Sequence, residues 1–423
     1  MPPMYEERLP NHLRLRTVRD ERDIDRFAAF HTLVNDATQG QTCANLLRHH
    51  PVITPDYFFL IEDEQRNAIV STVCLIPWSC RYEDVPLQAA MLEMVATHPD
   101  YRQRGLVRTL IDHFHRMVEQ RHFDFSIIEG IPYYYRQFGY GYVGDHWRYD
   151  ALPVGRIPQA MPDDERYHFR PATVADISLL VELYDHNMAA VQVATLRDAP
   201  YWRFLLTQEH YPVEVIEDKQ AGQVVGYSCV LTRPDRQYSR VVESSIANAE
   251  VAWALLHKLK ATTTGEIHVG WPESNTLVRL ARTLGSTHSL SDQWLLRLPD
   301  VAHFLTRVGP VLERRLAASV YAGLTVELTI NLYRQAFRLQ FVAGHFQGAA
   351  ALGFVDASMG ADGGDLCIPP DAFVRLLFGY RTLEELGDAW PDIVIKPARR
   401  PLLEILFPKQ NFYFWMPYLY YGA

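Results

Sequence analysis

Residues 91–121, MLEMVATHPDYRQRGLVRTLIDHFHRMVEQR, decide how the rest of the chain is read. Met91 to Ala96 is apolar apart from Glu93 and predicts a strand, and His98-Pro99-Asp100 predicts a turn. Beyond Arg102-Gln103-Arg104-Gly105, the residues Val107, Leu110, Ile111, Phe114, Met117 and Val118 recur at three- and four-residue spacing, the pattern of an amphipathic helix. A strand that passes through a basic, glycine-containing turn into a helix is suited to anions. The first N–H groups of the helix lack intrahelical partners, and the macrodipole places partial positive charge there. Gly105 lets a ligand approach the backbone, and Arg102, Arg104 and Arg108 add full charges. The stretch predicts a phosphate-bearing ligand.

The bulk composition bounds what surrounds this stretch. A chain of 423 residues exceeds one ordinary core and predicts two or three domains. With 48% hydrophobic and 22% charged residues it is a globular composition, and no run of eighteen apolar residues predicts a membrane span. The N-terminus has no apolar leader, so a cytoplasmic protein is expected. A formal charge of −9 disfavours nucleic acid as a partner and suits a cationic or neutral substrate. The five cysteines, Cys43, Cys74, Cys80, Cys229 and Cys367, have neither disulfide-framework nor zinc-site spacing, so no metal is expected. His113 and His115, two apart on a helix, share no ligand face and are read as solvated.

Working outward, Leu13–Arg16 reads as a strand and Arg22–Val34 as a helix with Ile24, Phe27, Phe30 and Leu33 on one face. Residues 57–63 and 67–78 read as a hairpin. After the opening stretch come the strand Phe123–Ile128 and the aromatic knot Tyr133–Tyr142. This is an α/β domain, placed at 1–152. The pattern then restarts over 153–297: the strand before Ala172, a helix through Ile177, Leu180 and Leu183, and a hairpin from Val213–Ile216 and Val224–Leu231. A short strand near Val241, a helix over Val251–Leu259, the strand Glu266–Val269 and a helix over Asn275–Leu284 follow. The copy repeats the order, but SSIANAEVAW precedes its helix, without arginine or glycine, and a structural role is expected. Residues 298–423 change character: a helix over Val301–Ala318, strands over Leu324–Ile330 and Ala336–Val342, the Gly360–Gly364 turn and a helix over Asp371–Phe378. Seven of the last twelve residues are aromatic, which predicts a buried tail.

Arg102–Val107 and Tyr135–Tyr140 resemble the signatures of the GNAT acyltransferase superfamily. The first is Q/R-x-x-G-x-G/A, here R-Q-R-G-L-V, with Val107 where Gly or Ala is usual. The second is Y-R-Q-F-G-Y. The tripartite layout resembles the Eis (enhanced intracellular survival) family. That resemblance implies tandem GNAT folds of mixed α/β sheets followed by a sterol-carrier-like domain with an aromatic tail. It also implies acetyl-CoA as co-substrate, a small-molecule amine acceptor such as an aminoglycoside, and a homo-oligomer, a hexamer in the family.

By that resemblance, the backbone of Gln103, Arg104, Gly105, Leu106 and Val107, with Arg102 beside it, holds the pyrophosphate. Val95, Ala96 and Thr97 pair with the pantetheine arm like an added strand. Tyr135 is the general acid for the leaving thiolate, set apart from Tyr133 and Tyr134 by the family spacing. Two groups compete as general base, the C-terminal carboxylate of Ala423 and Glu93 on the central strand. Asp36, Trp78 and Glu129 are placed in the acceptor pocket by position. The expected function is N-acetyl transfer to a primary amine of a cationic small molecule. A non-catalytic acyl-CoA or lipid-binding protein that keeps the fold is the rival.

Overall fold

The computed structural model describes residues 5–415, apart from 147, 160–165, 209–210, 234–236, 247, 271, 273, 291–292 and 358–362. Its first sheet is built from β1 (Glu6–Leu9), β2 (Leu13–Thr17), β3 (Phe58–Asp63), β4 (Ala68–Tyr82), β5 (Val85–Thr97), β6 (Phe125–Ile128) and β7 (Gly141–Asp145). From β1 to β5 neighbouring strands pair antiparallel in sequence order, whereas β5 pairs β6 in parallel. The helices α1 (Glu21–Val34), α2 (Ala37–His49) and α3 (Leu106–Gln120) cover this sheet.

The helices follow from their local sequence. Asp20 caps α1 by accepting from the Asp23 N–H, and Ile24, Phe27 and Phe30 enter the core. Leu33, expected on the same face, is 70% exposed, while His31 takes the buried place in that last turn. In α3 the residues Leu110, Ile111, Phe114 and Val118 are buried, in a core distinct from that of α1. Helix α2 escaped the sequence reading because its apolar stripe is short, chiefly Cys43, Leu46 and Leu47. It lies so close to α1 that a Cβ on Gly40 would sit 2.0 Å from Thr32 Oγ1. An ion-pair cluster fixes α1 to the sheet: Arg16 lies between Asp23 (2.6 Å) and Glu62 (2.8 Å), all three buried.

The second sheet repeats the order, as tandem copies require. It runs Thr287–Leu290, Arg148–Pro153, Glu266–Gly270, Tyr238–Ile246, Gln223–Arg233, Val213–Asp218, Tyr167–Pro171. The two sheets exchange strands, however. Arg148–Pro153, expected to end the first domain at 152, lies in the second sheet against Glu266–Gly270. Gln293–Arg297, expected to close the second domain at 297, inserts between β6 and β7. Alternating apolar residues mark a strand but not the sheet it joins, so boundaries drawn at 152 and 297 miss the exchange.

A third, five-stranded sheet is ordered His345–Gly353, Ala336–Val342, Val326–Asn331, Leu366–Cys367, Val394–Ile395. The helix expected over 301–318 is two, Val301–Arg307 and Gly309–Ala317. The break falls where Phe346 packs on Gly309, leaving 2.3 Å to where a Cβ would stand, and Pro310 stands in the first turn of the second helix. Near the C-terminus Phe412–Tyr413 pairs in parallel with Val193–Thr195, which pairs in turn with the far end of β4. Phe414 stacks on Phe412 and Trp78, so the described part of the tail, to Trp415, is buried. The Gly360–Gly364 turn lies mostly outside the described residues; Gly363 O accepts from Asn331 Nδ2 at 2.8 Å. Among the described residues no helix is long and apolar enough to cross a membrane, and no cluster of His, Cys, Asp and Glu has metal-site geometry.

Candidate active site

Two backbone irregularities on either side of Thr97 make the site. The first is the turn into α3. Gln103 (φ 60°) and Gly105 (φ 76°) are both left-handed, and Gly105 caps α3 without a side chain to satisfy its first N–H groups. A Cβ built on Gly105 would meet nothing within 4 Å, so open space lies in front of those donors. Successive N–H groups in such a turn, at the positive end of a fifteen-residue helix, form an anion cradle. Arg104 lies over the Tyr101 ring (4.6 Å) and donates to Asp100 O (2.7 Å). Arg108 lies over Phe138 (5.0 Å) and donates to Gln137 Oε1 (2.7 Å), which joins the two sequence signatures.

The second irregularity is a bulge in β5. Glu93 stands opposite Cys74 and Ala96 opposite Thr72, so β5 carries one extra residue, and Met94 takes φ 52°. On its other side β5 pairs β6 only over Ala89–Met91. The two strands then part, and among the described residues no strand pairs with Glu93–Thr97 on that side. A cavity of about 830 Å³ opens there. Glu93, Val95, Ala96 and Thr97 form one wall, Ile128 and Glu129 another, and Arg102 to Val107 close one end. An extended chain laid in this gap can hydrogen-bond to the β5 edge as a strand does.

Glu93 and Tyr135 both face this space. Burial, helped by the charge of Glu129, pushes the Glu93 carboxyl up to about 8. Burial, then the Glu93 charge, pushes the Tyr135 phenol well above its ordinary value, so it keeps its proton at neutral pH. The Tyr135 ring packs on the backbone at Gly130, where a Cβ would lie 2.3 Å from the ring. Glu129 Oε2 lies 3.3 Å from His146 Nε2. Burial pushes that imidazole down to about 3, so it meets Glu129 as a neutral ring.

All the residues expected to hold the cofactor, from Val95 to Thr97 and from Arg102 to Val107, line this one cavity, as do Glu93, Glu129 and Tyr135. Of the two neighbouring tyrosines, Tyr133 is 75% exposed and outside the lining, and Tyr134 joins the rim. Asp36 is spent on capping α2, accepting from Gln39 N at 2.9 Å; Asn35 and Gln39 beside it line the cavity in its place. Trp78 is a core residue outside the lining. Ala423 lies outside the described residues. His113 and His115 are not solvated: His113 packs on Tyr5 and Phe59, and His115 Nε2 lies 3.3 Å from Tyr140 Oη. The sequence reading missed the bulge, Gly130, His146 and the buried His31. Only Gly130, a glycine two residues past β6, carried a legible signal.

The second sheet shows the same parting of strands without a cradle. Tyr238–Val241 pairs Glu266–Val269, and the strand runs on to Ile246 without that neighbour. There Ser244 O accepts from the side-chain amides of Asn275 (2.5 Å) and Asn187 (3.1 Å), so the protein's own groups take up the edge. The following helix starts on Asn248, whose side chain accepts from Val251 N, not on a left-handed glycine.

Residues 14–143 match the family model of the acetyltransferase (GNAT) domain. No curated protein matches the chain. Among solved structures it resembles a GCN5-related N-acetyltransferase from Anabaena variabilis (TM-score 0.69, 15% identity, 95% of this chain and 99% of that one). A GCN5-related N-acetyltransferase from Kribbella flavida is similar (TM-score 0.65, 17% identity, 95% and 99%). So is Eis1 from Mycobacterium abscessus (TM-score 0.61, 15% identity, 94% and 98%). At these identities the likeness is one of fold, over nearly the whole chain.

Proposed function

We propose that this acyltransferase, whose acetyltransferase (GNAT) domain occupies residues 14–143, moves acetyl from acetyl-CoA to a primary amine of a cationic small molecule. One observation carries the reading: the cavity is polarised. Arginines and a helix N-terminus stand at one end, a carboxyl pair and a phenol further in, and an unpaired strand edge runs between them. The first suits a pyrophosphate, the edge suits the amides of pantetheine, and Glu93 with Glu129 suits an ammonium-bearing acceptor of aminoglycoside or polyamine type.

Both substrates are bound together in this reading. The acceptor nitrogen attacks the thioester carbon, the C–N bond forms and the C–S bond breaks. Glu93 takes the proton from the attacking amine and Tyr135 gives one to the leaving sulfur, transfers that typically contribute about 10²–10⁴-fold each. A carboxyl and a phenol lining the same cavity favour catalysis over mere storage of acyl-CoA. The third unit acts as a sterol-carrier-like scaffold that anchors the tail. Thiol release from acetyl-CoA, followed with a panel of aminoglycosides and polyamines, tests the proposal. Turnover with at least one amine is expected. Tight acyl-CoA binding with no turnover on any amine would overturn it.

A further inference from the structure

Behind the bulge a chain of side chains runs inward from the exposed Asn35 through buried His31 and Thr72 and ends on one carbonyl. Asn35 Nδ2 lies 3.2 Å from His31 Nδ1, and His31 Nε2 lies 2.9 Å from Thr72 Oγ1. Thr72 Oγ1 in turn donates to Met94 O at 3.0 Å. The last bond fixes the others. Because the Thr72 hydroxyl gives its proton to Met94 O, it accepts from His31, so the ring carries its proton on Nε2. Nδ1 is then the acceptor for the Asn35 amide. His31 is fully buried, and burial holds it neutral with a pKa of about 4, so this one tautomer persists across the working range.

The consequence lies one bond further on. In a trans peptide the C=O of one residue and the N–H of the next point to opposite sides. Thr72 is on β4, so Met94 O is turned toward β4 and the Val95 N–H toward the side where β5 has parted from β6. That is the cavity side. The neighbouring Ser71 does the same one step along, donating to Ala96 O at 2.9 Å, which turns the Thr97 N–H the same way. Met94 holds φ 52°, a conformation strained for a residue with a Cβ, which persists only when its surroundings enforce it.

The geometry points to Asn35, His31 and Thr72 as positioning residues that hold the Met94–Val95 peptide so that the Val95 N–H faces the thioester oxygen. Asn35 and His31 also border the cavity, but the role assigned here runs through Thr72 and the peptide rather than through contact with substrate. They act by keeping a strained peptide aimed where negative charge develops as the amine attacks. A donor fixed in advance stabilises that charge without reorganising. The inference rests on the cavity being the acetyl-CoA site.

Calorimetry with acetyl-CoA and with free CoA, on wild type, Thr72→Val and Thr72→Ser, separates this role from general support. Only the acetyl ester carries the oxygen in question. Wild type is expected to prefer acetyl-CoA over CoA several-fold. Thr72→Val, which keeps shape and loses the hydroxyl, is expected to erase that preference at unchanged CoA affinity and to lower kcat about 10–100-fold. Thr72→Ser restores both, and His31→Leu shifts both in the direction of Thr72→Val. A Thr72→Val protein with wild-type preference and kcat overturns the inference, as does one that loses CoA and acetyl-CoA affinity equally. Failure of wild type to bind CoA at all overturns the cofactor reading, and this inference with it.

Discussion

Glu93 offers the sharpest test, because one carboxyl is asked to explain both activity and stability. Its pKa is raised from the usual 4.5 to about 8, by burial first and by the Glu129 charge second, while the Met94 N–H pulls the other way. Tyr135, Cys43 and Cys74 also feel its charge. An acid with a raised folded-state pKa binds its proton more tightly when folded. Below pH 4.5 it costs nothing. As pH rises from 4.5 to about 8 the unfolded chain ionises and the folded one does not, so stability is lost throughout that window and levels off above it. At about 1.4 kcal/mol per pKa unit the full loss is about 5 kcal/mol, of which about 4 kcal/mol falls between pH 5 and pH 9. Glu93→Gln removes the ionisation. Urea unfolding of both proteins from pH 5 to 9 is expected to show the variant gaining about 4 kcal/mol relative to wild type. In kinetics the base must be ionised, so kcat/KM rises with pH through about 8. An alkoxyamine acceptor, already neutral at pH 6, keeps the substrate's own titration out of that limb. The limb vanishes in Glu93→Gln and moves to lower pH in Glu129→Gln. Stability curves that run parallel from pH 5 to 9, together with a limb that survives Glu93→Gln, would refute the reasoning.

Three other substitutions probe the remaining parts. Tyr135→Phe is expected to lower kcat about 10²–10⁴-fold with little change in acetyl-CoA affinity; an unchanged kcat removes it as the acid. Gly105→Asp puts a charge into the open space before α3 and strains a left-handed position by roughly 1–2 kcal/mol. CoA binding, followed by calorimetry, should vanish while the fold survives, and retained affinity would move the phosphate site elsewhere. Glu62 is the opposite case to Glu93. Burial would raise it, but Arg16 and Arg14 more than offset that and hold it at about 2. Its contribution, about 3 kcal/mol, is present above pH 4.5 and is lost as pH falls to about 2. Glu62→Gln should therefore be less stable than wild type at pH 7, with the gap narrowing steadily on acidification.

How much of this was legible in residues 1–423 depends on the range of the interactions. The strand, turn and helix at Met91–Arg121 were readable because periodicity and a glycine between arginines are local signals. Tyr135 was singled out by the spacing of the family signature that its surroundings resemble, and it lines the cavity. The bulge at Met94 was not, because it exists only in the register between β4 and β5, and Met94 is no usual residue for a positive φ. The histidines misled for a related reason. His113 and His115 were expected in solvent, yet His113 is held inside by Tyr5 and Phe59, and His115 Nε2 lies against Tyr140 Oη. Trp78 looked like a pocket residue, but the tail ring of Phe414 stacks on it. No feature near residue 78 announces a partner more than three hundred positions away.

The exchange of Arg148–Pro153 for Gln293–Arg297 carries a consequence in time. On a ribosome, β6 and β7 emerge long before the strand that belongs between them. At about 5–20 residues per second, the catalytic sheet waits on the order of 10–30 s for residue 297. Until then the facing edges of β6 and β7 lie open. The second copy supplies Gln293–Arg297, so its loss would leave that gap in the first sheet. Its upkeep is the condition for the first copy to be finished at all.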